Sequence, residues 1–138
     1  MSLTATARSL PGQLRNEIVI DGRFRIETDE PVRLGGEDTA PAPHELLVAA
    51  LASCVSTTLV MYARTKGWDL GEVVATVDYD PSATPRRCAI AVTTGRPLSE
   101  AQVARLEKAA ASCPVRRSIE AGLAFSERID APTAHEAA

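Results

Sequence analysis

Several kinds of functional site are absent from this 138-residue sequence. There is no C-x-x-C pair, and histidine occurs only at His44 and His135, so a structural zinc site is not indicated. Neither G-x-x-x-x-G-K-[ST] nor G-x-G-x-x-G occurs, so no phosphate-binding glycine loop is expected. The net charge is -3 with no concentrated basic cluster, which argues against a nucleic-acid partner. A Ser-His-Asp apparatus would depend on His44, and nothing in the sequence favours one.

Cysteine is sparse and odd in number, with Cys54, Cys88 and Cys113 as the only three. A disulfide-stabilised secreted domain usually has an even and denser set. The N-terminal residues contain no apolar run of the kind that precedes a signal cleavage site. We therefore expect a cytoplasmic protein, in which a free cysteine is either a small core residue or a reactive group.

Aromatic residues make up only 4% of the chain, so the core must consist mainly of small aliphatic contacts. The length fits a single domain over 1–138, with an ordered part from about residue 13 to 130 between a loose polar lead-in and a polar tail. The stretch 46–63 has no charged residue and just reaches the length of a membrane span. Because hydroxyl residues cluster in its second half, we interpret it as a helix buried in protein and expect no membrane partner.

The pattern of apolar residues and turn signals predicts an α+β fold with largely antiparallel sheet. Asp21-Gly22 is a two-residue hairpin signal, and Ser99 opens a helix with the spacing of a capping box. The predicted elements are strands at 14–20 and 23–28, a loop at 29–43, a long helix at 44–66, strands at 72–79 and 87–94, a helix from Ser99 to the break at Pro114, a short helix at 114–121, and a last strand at 123–129.

The long helix is apolar on every side. Leu47, Leu51 and Met61 lie on the face of Cys54, while the opposite face contains Val48, Ala52, Val55 and Leu59. A helix that is apolar all round must be covered on all sides. A second copy of the chain would supply that cover, so we expect a homodimer.

Two of the cysteines are candidates for chemistry. Cys113 directly precedes the short helix, whose dipole and two arginines, Arg116 and Arg117, would lower the pKa of its thiol. The alternative is that Cys113 only completes the apolar stripe of the preceding helix. Cys54 lies in mid-helix and is typical of inert core packing unless a cation comes within about 4–6 Å. Cys88 is expected to be a core residue of its strand.

The segment DEPVRLGGEDTAPAPHELLVAALASCVSTTLVMYARTKGWDLGEV at 29–73 resembles the central part of the OsmC/Ohr family, the osmotically inducible and organic-hydroperoxide-resistance proteins. The segment ASCPV at 111–115 resembles the second cysteine motif of that family. The resemblance implies an intertwined homodimer in which antiparallel sheets wrap around two long central helices. It also implies a cofactor-free peroxidase: Cys54 attacks an organic hydroperoxide, Cys113 resolves the sulfenic acid to a disulfide, and a dithiol or other thiol reductant restores the pair.

The sequence departs from the peroxidase branch at two positions. In that branch a glutamate directly follows the motif proline and helps to hold an arginine over the reactive thiol, whereas here Glu45 comes one residue later. The position of the arginine is occupied by Gln13, and Arg15, Arg33 or neither could substitute for it. Glu45 lies about 13 Å along the helix from Cys54, so only a partner subunit could bring it to that thiol. Glu45 could instead serve the helix dipole, and Arg15 could be a solvated strand residue.

These departures leave three hypotheses. The first is a thiol-dependent peroxidase of the OsmC type with Cys54, Cys113, Glu45 and Arg15 as site residues. The second is a non-peroxidase member of the same family, a dimeric protein that binds a small apolar or electrophilic ligand between its subunits. The third is that both thiols are packing residues and the activity lies elsewhere.

Overall fold

The computed structural model describes residues 2–133 and has the α+β fold that the sequence predicts. Two separate antiparallel sheets and three α-helices form its regular structure. The elements in chain order are β1 (Ala5–Ser9), β2 (Asn16–Ile20), β3 (Phe24–Thr28), a short 3-10 turn (Val32–Leu34), α1 (Pro43–Lys66), β4 (Val73–Asp80), β5 (Arg87–Thr94), α2 (Glu100–Ala111) and α3 (Pro114–Ala121).

The first sheet is a meander in the order β1-β2-β3. Asp21 and Gly22 have φ of 50° and 68°, which confirms the predicted hairpin between β2 and β3. The prediction of a loose lead-in before residue 13 is wrong, because β1 pairs with β2 from Ala5↔Ile20 to Ser9↔Asn16. β1 has the sequence ATARS, with no large apolar residue, and is exposed along its whole length, so the sequence gives little sign of a half-buried strand there.

The predicted strand at 123–129 is absent, since the described residues after α3 contain no strand. Leu123, Phe125 and Ile129 are all exposed. Their alternation is typical of a strand, but a strand also needs a neighbour for its backbone hydrogen bonds, and no strand of the described chain pairs with this segment.

Helix α1 begins and ends where the sequence signals predict. Pro43 occupies its first turn, and Glu45 Oε1 accepts a hydrogen bond of 3.1 Å from the backbone N–H of Ala42. Gly67 ends the helix in the left-handed conformation, with φ of 68°. The helix packs against β4, α2 and α3, and the core is a cluster of buried residues centred on it: Leu51, Val55, Leu59, Ala63, Leu70, Leu106 and Cys113.

Only one face of α1 is buried within the chain. Leu47 and Met61 on another face are exposed, and the homodimer that would cover this face stays a prediction. Among residues 2–133, α1 is also the helix long and apolar enough to cross a membrane, a property that core helices of soluble proteins share.

A candidate thiol active site

The structure brings Cys54 and Cys113 together although they lie far apart in sequence. Cys54 is in the middle of α1, and Cys113 is the residue that caps the N-terminus of α3, which packs against α1. The two thiols lie close enough to interact, and this interaction lowers the pKa of Cys54 and raises that of Cys113. Cys113 is fully buried while Cys54 is partly exposed, so a reagent from solvent meets Cys54 first.

The surroundings of Cys54 favour its thiolate. Burial raises the pKa of this thiol, but hydrogen bonds from the Cys113 thiol, the backbone N–H of Val115 and the Thr58 hydroxyl lower it. The hydrogen bonds outweigh burial, and the pKa lies below its ordinary value. No guanidinium of residues 2–133 contributes to this shift. Hydrogen-bond donors at the start of α3 and on α1 therefore stabilise the anion.

Cys113 shows the opposite behaviour, which corrects the sequence-based expectation for its thiol. Burial raises its pKa most, and both the hydrogen bond that it donates to Cys54 and the negative charge of Cys54 raise it further. The backbone N–H groups of Arg116 and Val115 lower the pKa but do not compensate. The N-terminus of α3 was expected to stabilise the thiolate of Cys113. It stabilises that of Cys54 instead.

Arg15 lies in a different part of the chain, immediately before β2. Its Nη2 donates a hydrogen bond of 2.6 Å to Glu27 Oε2, and this contact raises the pKa of Arg15. Its Nε is buried without a hydrogen-bond partner among the described residues. The thiol pair of the same chain is not among its contacts, so the role of Arg15 at Cys54 stays a prediction that requires a second subunit.

Glu45 lies at a third place, a cleft of about 660 Å³ at the start of α1. Arg33, His44 and Tyr79 line the same cleft, together with an apolar floor formed by α1 residues that include Ala52. Residues that are two positions apart on a helix, such as Ala52 and Cys54, are rotated by about 200° relative to each other. The floor of the cleft and Cys54 therefore point in nearly opposite directions. The structure thus brings Glu45 and Arg33 together, but it places both away from the thiols of their own chain.

Cys88 is exposed on β5, where it lies opposite Tyr79 of β4, so the expectation that it is a core residue is wrong. Ile90 and Val92 on the same face do contact the core, but the cover provided by α1 does not extend to the strand end at Cys88. No group of three metal-ligating side chains occurs within the described part of the chain. His135 lies outside the described residues.

Two residues of consequence are not identified from the sequence. Thr58 lies one helical turn after Cys54, and its spacing of four residues is a signal that could have found it. Asp29 is buried, and its carboxylate accepts hydrogen bonds from the hydroxyl and backbone N–H of Thr39 and from the backbone N–H groups of Glu30 and Glu37. These bonds lower the pKa of Asp29 to about 2 and fix the loop that leads to α1.

Comparison with known proteins decides the family. A family profile described as OsmC-like protein matches residues 35–128, which is most of the chain and includes both thiols of the site. This chain belongs to the OsmC-like protein family. The resemblance identified from the segments at 29–73 and 111–115 is thereby confirmed.

Solved structures agree with this assignment. An osmotic stress induced and detoxification response protein from Psychrobacter arcticus is 30% identical, with a TM-score of 0.70 over 85% of this chain and 87% of the other. An organic hydroperoxide resistance protein OsmC from Legionella pneumophila is 22% identical, with a TM-score of 0.64 over 86% and 89%. OhrB of Bacillus subtilis, also an organic hydroperoxide resistance protein, is 22% identical, with a TM-score of 0.55 over 85% and 89%. No curated protein sequence matches this OsmC-like protein.

Proposed function

We propose that this OsmC-like protein is a thiol-dependent peroxidase that reduces organic hydroperoxides as a soluble, cytoplasmic homodimer without a bound cofactor. The observation that carries the proposal is the hydrogen-bonded pair of thiols, in which the more exposed sulfur, Cys54, has the lowered pKa. A nucleophile that ionises more readily than an ordinary thiol and is reachable, beside a buried partner that ionises less readily, is the arrangement that a peroxide reaction needs. The names of two structural neighbours, from Legionella and Bacillus, support the same chemistry.

The proposed cycle has three steps. The Cys54 thiolate attacks the outer oxygen of the hydroperoxide, the O–O bond breaks, and the leaving alkoxide takes a proton and departs as an alcohol. Cys54 is then a sulfenic acid, and the sulfur of Cys113 displaces its hydroxyl group to form a disulfide and water. A dithiol or two molecules of a monothiol reduce the disulfide by thiol–disulfide exchange and leave as their own disulfide.

The homodimer is part of this proposal because the other site residues lie away from the thiols in one chain. The exposed apolar face of α1 and the exposed segment that includes Phe125 are surfaces for a second copy. We place Arg15 and Glu45 of one subunit near the thiols of the other, where the exposed part of the Arg15 guanidinium would lie beside the anion.

Consumption of cumene hydroperoxide in the presence of dithiothreitol tests the proposal. Cys54→Ser should abolish turnover, whereas Cys88→Ser should leave it unchanged because Cys88 lies outside the thiol pair. Arg15→Gln should lower turnover about tenfold, with Arg25→Gln as its matched control. Turnover by Cys54→Ser at the wild-type rate would overturn the proposal.

A second candidate function is the binding of a small apolar or electrophilic ligand without turnover. It is favoured by a cavity of about 590 Å³ between β5 and α2, lined by apolar residues that include Val92, Val103 and Leu106. Such a protein would gain thermal stability from medium-chain fatty acids or their aldehydes and would not consume peroxide. Melting curves with and without these ligands, beside the peroxide assay, separate the two functions.

A further inference from the structure

We propose that Thr58 is a further catalytic residue of the thiol site: its hydroxyl donates a hydrogen bond to the sulfur of Cys54 and holds the thiolate during the attack on peroxide. The catalytic part of this statement rests on the proposed peroxidase function. The hydrogen bond itself can be tested without peroxide.

The helix geometry places the two groups together. Thr58 follows Cys54 by four residues on α1, so the two side chains lie about 40° apart around the helix and one turn apart along it. Both residues are half-buried in the structure, and the spacing of four residues on α1 brings the Thr58 hydroxyl within reach of the Cys54 sulfur. A hydroxyl rotates freely and can therefore turn its proton toward a negative acceptor.

The donors around Cys54 come from two helices. Thr58 belongs to α1, while the Cys113 thiol and the backbone N–H of Val115 belong to the start of α3. The Cys113 thiol leaves this arrangement once it attacks the sulfenic acid, and Val115 N–H is shared with Cys113 itself. Thr58 is the side-chain donor that serves Cys54 alone.

A hydrogen bond to an anion is stronger than one to a neutral sulfur. Thr58 should consequently favour the reduced thiolate and contribute little once Cys54 is a sulfenic acid or half of a disulfide. Removal of the hydroxyl should slow the reaction with peroxide and leave the rate at which dithiothreitol reduces the disulfide unchanged.

The experiment compares Thr58→Val, which keeps the shape and removes the hydroxyl, with Thr58→Ser, which keeps the hydroxyl. Thr57→Val is the matched control, since Thr57 is the adjacent and exposed threonine of the same helix. The rate at which iodoacetamide alkylates Cys54 is followed by peptide mass spectrometry from pH 5 to 10. A shift of one pH unit in the midpoint corresponds to an about tenfold change in thiolate below both midpoints.

We expect Thr58→Val to raise the midpoint and to lower alkylation at pH 7 about three- to tenfold, with Thr58→Ser within about twofold of wild type and Thr57→Val unchanged. A wild-type midpoint in Thr58→Val, or an equal shift in Thr57→Val, would overturn the role of Thr58. If Thr58→Val does not fold, the alkylation midpoints of Thr58→Ala and Thr58→Ser are compared instead, with the same expected difference. Failure of the wild-type protein to consume peroxide would overturn the proposed function and would leave the alkylation result to stand by itself.

Discussion

Burial raises the pKa of both Cys54 and Cys113, and the interaction between the two thiols then lowers the pKa of Cys54 while it raises that of Cys113 further. The more exposed sulfur is the easier to ionise, and the buried sulfur stays protonated. Two cysteines of one chain thus receive different roles from their surroundings.

Removal of the Cys113 donor should raise the pKa of Cys54. In Cys113→Ala the thiolate fraction of Cys54 at pH 7 falls, so alkylation by iodoacetamide should be several-fold slower, while Cys113→Ser retains a donor and most of the rate. The pH profile of alkylation measures both variants. An unchanged midpoint in Cys113→Ala would show that the contact does not control ionisation.

The same variant should also change the product of oxidation. Without Cys113 the sulfenic acid of Cys54 has no resolving thiol, so dimedone should label Cys54 after one equivalent of cumene hydroperoxide. Mass spectrometry of the intact chain detects this adduct. The wild-type protein should give little adduct under the same conditions, and equal labelling of the two proteins would contradict the assigned roles.

Asp29 should stabilise the fold in a pH-dependent manner. Its folded pKa, about 2, lies below the ordinary value of about 4, so its contribution is complete above pH 4 and is lost as the pH falls toward 2. Asp29→Asn should lower the melting temperature at pH 7 by several degrees and flatten its decline below pH 4. Asp38→Asn, a change in the same loop at an exposed residue, is the control and should melt like wild type.

Truncation of a buried side chain of α1 should cause a large loss of stability, because this helix forms the centre of the core. Leu59 is 2% exposed in the core cluster, so Leu59→Ala should reduce the free energy of unfolding by about 2–5 kcal/mol. Leu34 is 56% exposed, and Leu34→Ala should change the free energy of unfolding by less than about 0.5 kcal/mol. Urea denaturation measures both, and equal losses would mean that the core is centred elsewhere.

The homodimer depends on the exposed apolar face of α1. Met61→Glu places a charge on that face and should shift the mass measured by light scattering from dimer toward monomer. Val74→Glu places the same charge on an exposed residue of β4 and should leave the mass unchanged. A wild-type protein that is monomeric at micromolar concentration would contradict this part of the account.

The sequence predicts those elements whose signals are local. Pro43 and Gly67 bound α1, the Asp21-Gly22 turn forms its hairpin, and Ser99 caps α2 through reciprocal hydrogen bonds with Gln102. The strand β1 could not be predicted in this way, because its residues are exposed and only pairing with β2 defines it.

The sequence predicts which cysteines form the candidate site, but it does not predict the direction in which the pKa of each thiol shifts. The two motif segments identify Cys54 and Cys113, whereas the direction of each pKa shift depends on relative burial and on which thiol donates to which. Those are properties of the contact between α1 and α3, and no local pattern contains them. Arg15 is a second example, since its ion pair with Glu27 forms only because β2 pairs with β3.

The most direct test of the central claim is to map disulfides after the reduced wild-type protein has reacted with one equivalent of cumene hydroperoxide per chain. We predict loss of two thiols per chain and a single peptide pair that joins Cys54 to Cys113, with Cys88 free. Retention of both thiols with the peroxide unconsumed, or a disulfide that involves Cys88 in place of this pair, would contradict the account.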